Sequence, residues 1–299
     1  MITVIICTYN PKLEYLSRAI HSVLNQNCSN EFEFFVVDNN SKFSVSELAI
    51  VKERSIRVVL EKKPGLTAAR ECAVENAKGN ILVFVDDDNI LSSDYLQTVE
   101  TLFENANIGV MSGTIFPAYE KVPEKWFAPL SKMLALRSFP EKRLYLTNIP
   151  EYTEYFPIGA GMCIRKEILV AYFQSLTVET RIEGRKENSL SSGEDLDIDF
   201  FAIAQGFLIG VHSGLIVQHI IPPVRCTLEY LCRLSASQAQ SNFLINNKWK
   251  NIFHTNVLPH FSLSKQQILF RLCGLLVLYP LKRYRVSFSY YKMIYSLIE

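Results

Sequence analysis

The chain has 299 residues, 48% hydrophobic and 20% charged, enough apolar material for one large core or two unequal ones. Its 31 basic and 30 acidic side chains leave a formal charge of +1, which argues against bulk electrostatic binding to nucleic acid. Seven cysteines, an odd number without C-x-x-C spacing, point to reduced thiols in a cytosol and away from a disulfide frame or zinc site. The opening MITVIICTYN has no basic start or cleavage site and reads as a strand, not a signal peptide. No apolar run reaches the roughly 20 residues needed to cross a bilayer.

Ile2 to Cys7 is a short apolar run, hence a predicted strand, ending at Thr8-Tyr9-Asn10-Pro11. Asn10 as N-cap with Pro11 at the first helical position predicts a helix carrying Leu13, Leu16, Ile20, Val23 and Leu24 on one face. A second run, Phe32 to Val37, ends in Asp38-Asn39-Asn40-Ser41, and a third, Ile56 to Leu60, leads to Glu61-Lys62-Lys63-Pro64-Gly65. A helix follows from Leu66 to Lys78, closed by Gly79 just beyond its end. The fourth run, Ile81 to Val85, enters Asp86-Asp87-Asp88-Asn89, and Ser93 to Asn105 is again helical. Later, Ser191 to Asp197 precedes a helix bearing Ile198, Phe201, Ala202 and Ile203, and a further helix is predicted over Thr227 to Asn246.

Apolar strands alternating with amphipathic helices predict an open, doubly wound, mostly parallel α/β sheet, with a helical C-terminal extension. Ligands of such sheets sit outside the carboxyl ends of the strands. Those ends here gather Thr8, Tyr9, Asn10, Asp38, Asn39 and the three aspartates 86–88. Three adjacent carboxylates repel one another. A cation removes that repulsion, and an Asp-x-Asp pair, Asp86 and Asp88, directed to one side suits a hard divalent ion. A solvated acidic turn is the plainer alternative. The dinucleotide and P-loop glycine patterns are absent.

Taken together, VIICTYN (4–10), VVDNNS (36–41), KPGLTAAREC (63–72), VFVDDDN (83–89) and SGEDLDIDF (192–200) resemble the family 2 glycosyltransferases of the GT-A fold. The resemblance covers about residues 1–220 and implies a GT-A catalytic domain over 1–225. Residues 1–110 would bind the nucleotide sugar and 111–225 the acceptor, with a helical region over 226–299. It implies an inverting transferase that moves a sugar from a nucleotide sugar, typically a UDP-sugar, to a glycan or lipid-linked acceptor.

By the same resemblance, Thr8, Tyr9 and Asn10 border the base pocket and Asp38 accepts from the uracil imide; a turn acid is the structural alternative for Asp38. Arg70 lies near the nucleotide and Asp86 near the ribose. Asp87, counted with the donor-binding residues, is expected to face away. Asp88 holds Mn²⁺ or Mg²⁺ on the diphosphate, and His219 is a second candidate ligand; His212 is a weaker one. Asp195, more than Glu194, is the base for the acceptor hydroxyl, although Ser192 and Asp195 also fit a helix cap. Gly161, within Gly159 to Ile164, lines the sugar and acceptor site, Trp126 stacks on an acceptor sugar or packs in a small core, and Arg225 and Arg233 reach phosphate or form a solvated basic face.

The tail over 266–299 alternates apolar and basic residues, which suits a membrane interface; packing on the catalytic domain or a homodimer contact are the alternatives. A cytoplasmic protein, peripheral on the inner membrane, follows from this, with no nucleic-acid partner. Two rivals remain. A sugar-phosphate nucleotidyltransferase would need a glycine- and lysine-rich phosphate loop near the first strand, and CTYNPK has no glycine. A non-catalytic nucleotide-sugar-binding module would not need the intact set Asp38, Asp86, Asp88 and Asp195.

Overall fold

A computed structural model describes residues 1–140, 143–182, 184–185 and 189–258. The tail over 266–299 lies outside the described residues. The predicted apolar runs are strands: β1 (Ile2–Thr8), β2 (Glu33–Asp38), β3 (Arg57–Leu60) and β4 (Ile81–Asp86). They pair in parallel in the order β3-β2-β1-β4. Alternation along β1 explains why both faces are apolar. Val4 and Ile6 enter one cluster with Leu16 and Ile20 of α1 (Leu13–Leu24), while Ile5 enters another with Ala69 and Ala73 of α3 (Leu66–Asn76). The short helix α2 (Ala49–Glu53) lies between β2 and β3 in the chain.

The remaining elements are β5 (Asn89–Leu91), α4 (Tyr95–Phe103), β6 (Ile108–Tyr119), β7 (Leu144–Thr147), β8 (Met162–Arg165), α5 (Lys166–Ser175), α6 (Glu194–Ala204), β9 (Leu208–Ile221) and α7 (Leu228–Phe253). They extend the same sheet as β4-β8-β6-β9-β5, with β7 paired to β9. β8 runs antiparallel to β4 and β6, whereas β6 and β9 are parallel. The result is the expected mixed, mostly parallel α/β sheet covered by helices. The long α7 joins both clusters, through Leu231 and Leu234 in one and Ile245 and Trp249 in the other.

Several local expectations need correction. Asn10 does not cap α1; Lys12 takes that place. Asn10 sits in the left-handed region (φ 48°), where its side-chain oxygen accepts from the Lys42 N–H at 2.8 Å. Asparagine tolerates that conformation because its short amide bonds locally. The helix closed by Gly79 ends earlier, at Asn76. Gly79 is needed for packing, since a Cβ there would lie 2.7 Å from the Thr3 backbone nitrogen. The predicted cap formed by Ser192 and Asp195 is absent: Gly193 is the N-cap, with φ 111° and no side-chain bond. α7 starts at the predicted place, Thr227 accepting from the Tyr230 N–H, but runs seven residues beyond Asn246 to Phe253.

Candidate active site

Register places the functional strand ends level with one another. Cys7 is opposite Asp86, and Thr8 is opposite Asp38. Asp38 is buried and shapes its own turn, its carboxylate accepting from the Ser41 N–H at 2.9 Å and the Val45 N–H at 3.3 Å. A carboxylate has about four lone-pair sites, so a further donor can still be accepted. Next to it, Asn39 spends its amide on the following loop. It donates to the carbonyls of Glu61 and Lys63 and accepts from the Gly65 N–H at 2.8 Å. Thr8 is buried and Tyr9 half-buried beside it.

The acidic triplet divides. Asp87 turns inward, toward the carboxyl end of β1, where its carboxylate accepts from the Thr8 hydroxyl; the expectation that it faces away is wrong. Burial, together with the Asp88 charge, pushes its carboxyl up to about 7. Burial and the same neighbour also raise Asp86, against the nearby Arg70. Asp88 behaves oppositely. Burial alone would raise it, but the Arg225 guanidinium against its carboxylate holds it below the usual carboxylate range. Arg225 lies 2.9 Å from Asp88 Oδ2, and His219 Nε2 lies 3.5 Å from the same oxygen.

The sheet explains why these three meet. β5 runs antiparallel to β9 and pairs Asn89 with His219, and the Ile220 N–H donates to the Asp88 carbonyl at 2.8 Å. The His219 Nδ1 lies 3.2 Å from the Leu134 carbonyl, an acceptor only, so Nδ1 carries a proton. Nε2 then presents its lone pair to the Arg225 guanidinium at 2.8 Å. The 3.5 Å from Nε2 to Asp88 Oδ2 is too long for a good N–H···O bond.

One carboxylate oxygen and one imidazole nitrogen, side by side, suit a divalent cation that completes its shell with waters and phosphate oxygens. Among the described residues no group of three or more His, Cys, Asp or Glu side chains is arranged to hold a metal alone. The residues therefore fit a sparsely held ion and not an all-protein cage.

On the other side of Arg70, α6 supplies the second carboxylate group. Glu194 is buried and paired with Arg70 at 3.2 Å. Arg70 is only 2% exposed, which excludes a solvated surface arginine. Burial works against its charge, but Glu194, Asp86 and Asp195 together hold the guanidinium firmly protonated. Asp195 is half-buried, and its Oδ2 accepts from the Gly159 N–H at 3.0 Å. A Cβ on Gly159 would come within 2.8 Å of Arg70 Nη2, so the buried guanidinium would have to shift. Arg70 thus faces Asp86 at the end of β4 and both acids at the start of α6.

The other candidates fall elsewhere. Gly161 (φ 70°) is buried against the Tyr95 hydroxyl and Val217, which accounts for its missing side chain. Trp126 bonds Glu124 through its indole N–H and packs on Phe127. His212 accepts from the Gly214 N–H, and burial lowers its imidazole pKa. Arg233 is exposed on α7.

Two residues escaped the sequence reading. Asp199, one helical turn after Asp195, is fully buried with neither carboxyl oxygen hydrogen-bonded, and burial plus Asp195 drives it well above the carboxylate range despite Arg137. Arg137 donates to the carbonyls of Gly113 and Phe156 and to the Ser112 hydroxyl. An acid among Ile198, Phe200 and Ala202 was a usable signal; Arg137 had none.

This fold, with carboxylates at the end of β4 and the start of α6 facing a common arginine, defines a protein of the GT-A glycosyltransferase type. The chain belongs to the glycosyl transferase family 2, whose model matches residues 3–173. An uncharacterised glycosyltransferase of Methanocaldococcus jannaschii is 22% identical over 263 residues, covering 85% of this chain and 81% of that protein. One from Rickettsia felis is 33% identical over 126 residues, 42% of this chain; the match spans only 20% of the relative's length. Among solved structures, residues 1–349 of S. aureus TarS align with a TM-score of 0.52 at 17% identity, covering 99% of this chain and 88% of that one. At that identity the likeness speaks for the fold alone.

Proposed function

We propose that the protein is an inverting glycosyltransferase that moves a sugar from a nucleotide sugar, a UDP-sugar in the first instance, to a glycan or lipid-linked acceptor of the cell surface. The observation that carries this is Arg70, a buried cation facing Asp86 on one side and Glu194 and Asp195 on the other. It ties the carboxylates of β4 and α6 into one site. Thr8, Tyr9 and Asp38 receive the nucleoside at the ends of β1 and β2, and Asn39 fixes the loop over Lys63 to Gly65 beside them.

Asp88, with His219, would hold Mn²⁺ or Mg²⁺; the ion, when bound, supplies Lewis-acid neutralisation of the departing diphosphate. Asp195 is the base. Its Oδ2 is oriented by the Gly159 N–H, and it takes the proton of the acceptor hydroxyl as that oxygen attacks the anomeric carbon opposite the leaving group. Glu194, spent on Arg70, is the lesser candidate. Cytoplasmic residence and peripheral membrane contact through 266–299 complete the proposal and match a lipid-linked acceptor.

Asp195→Asn tests the assignment. The amide cannot take the proton, so kcat should fall by about 10²- to 10⁴-fold with donor affinity nearly unchanged. Lost donor binding with unchanged kcat contradicts the role given to Asp195.

A further inference from the structure

We propose that Arg225 is an exchangeable counter-cation: its guanidinium neutralises Asp88, yields that carboxylate to a divalent cation, and takes the diphosphate oxygens of the donor instead. This rests on the reading of Asp88 and His219 as the cation-holding pair.

The geometry makes guanidinium and cation alternatives. The same nitrogen, Arg225 Nη1, lies 2.9 Å from Asp88 Oδ2 and 2.8 Å from His219 Nε2. Those are the two atoms a cation would use. Asp88 can share its lone pairs, but His219 cannot, because Nδ1 is committed to the Leu134 carbonyl and Nε2 has a single lone pair. A cation on Nε2 must therefore displace Arg225.

The exchange asks little of the backbone. Arg225 lies in the 3-10 turn Pro223–Cys226 between β9 and α7, next to Val224, which is 62% exposed, and its own side chain is 21% exposed. Rotamer changes alone can carry the guanidinium along the rim. Its destination follows from charge. The salt bridge to Asp88 draws Arg225 to this edge. Once a cation neutralises Asp88, a diphosphate at the same edge is the strongest nearby acceptor, and a planar fork of N–H groups matches its oxygens. Bringing in a 2+ ion without moving Arg225 would crowd two positive centres onto one carboxylate.

The test uses the full chain with Arg225→Gln and Arg225→Lys. Mn²⁺ alone is titrated by electron paramagnetic resonance of the free ion. Separately, protein saturated with Mn²⁺ is titrated with whichever of UDP, GDP or dTDP the wild type binds, and with the matching nucleoside. Loss of a charge-assisted contact predicts that Arg225→Gln binds Mn²⁺ about tenfold more tightly, and the nucleoside diphosphate about tenfold more weakly, with the nucleoside unchanged. Arg225→Lys, which keeps the charge without the fork, falls between and carries the test should the glutamine variant lose its fold. Unchanged or weaker Mn²⁺ binding by a folded variant overturns the exchange while leaving the proposed function standing. A wild type that takes up no Mn²⁺, with or without nucleotide, overturns both.

Discussion

Asp199 shows how much a single buried carboxyl can reveal. It has no hydrogen-bond partner for either oxygen and sits one turn behind Asp195, so folding favours its neutral form. The sign of the pH effect follows. The native state holds the proton above the ordinary carboxylate range and the unfolded chain does not, so stability falls as pH rises from about 4 toward the raised native value. Asp199→Asn removes the titration. Urea unfolding should show the variant gaining on wild type by up to about 1.4 kcal/mol per pH unit across that window. A parallel pH dependence in both proteins would mean that Asp199 is already ionised. Gly159→Ala probes the neighbouring contact. Its Cβ would press on Arg70 Nη2 at 2.8 Å, and overpacking of this kind costs about 1–3 kcal/mol. The loss should appear in kcat as well as in stability, since Asp195 is oriented by the same peptide. At this scale Asp38, Asp88 and Asp195 were legible as acids at strand and helix ends. The inward turn of Asp87 toward Thr8 was not, because it depends on register between β1 and β4.

At the scale of elements, α6 and α7 are joined through one buried carboxylate. Asp197 accepts from the Trp249 indole N–H at 2.6 Å, Lys248 Nζ at 2.7 Å and the Tyr172 hydroxyl at 2.6 Å. The base at Asp195 therefore stands on a helix turn anchored by the last long helix described. Trp249→Phe keeps most of the ring and deletes one of these donors; equilibrium unfolding should show a loss of about 1–3 kcal/mol. No loss would mean that the bond adds nothing to the joint. The parallel strands β1, β2 and β4 could be read directly, because burial on both faces leaves uninterrupted apolar runs. The long pair β6 and β9 could not. β6 contains Ser112, Gly113, Thr114 and Pro117, and its register with β9 shifts at Gly113/Thr114, so neither a continuous run nor strict alternation marks it. The predicted end of α7 at Asn246 falls short because that polar residue is buried inside the helix and bonds the Leu258 backbone, a contact the local sequence does not show.

For the whole molecule, the sheet brings acids from distant parts of the chain to a shared edge, and charge balance organises them. Arg70 serves Asp86, Glu194 and Asp195, while Arg225 serves Asp88 and also bonds His219. The fold class was legible from strand and helix alternation, and the family from five short motifs in order. The partnership of Asp88 with Arg225 was not, since it arises from the antiparallel pairing of β5 with β9. Nucleotide binding by calorimetry, with and without Mn²⁺, tests this organisation most directly in wild type, Asp88→Asn and Asp195→Asn. The account predicts that Mn²⁺ strengthens binding of the donor nucleoside diphosphate in wild type and Asp195→Asn but not in Asp88→Asn. Equal strengthening by Mn²⁺ in all three proteins, or none in any of them, would contradict it.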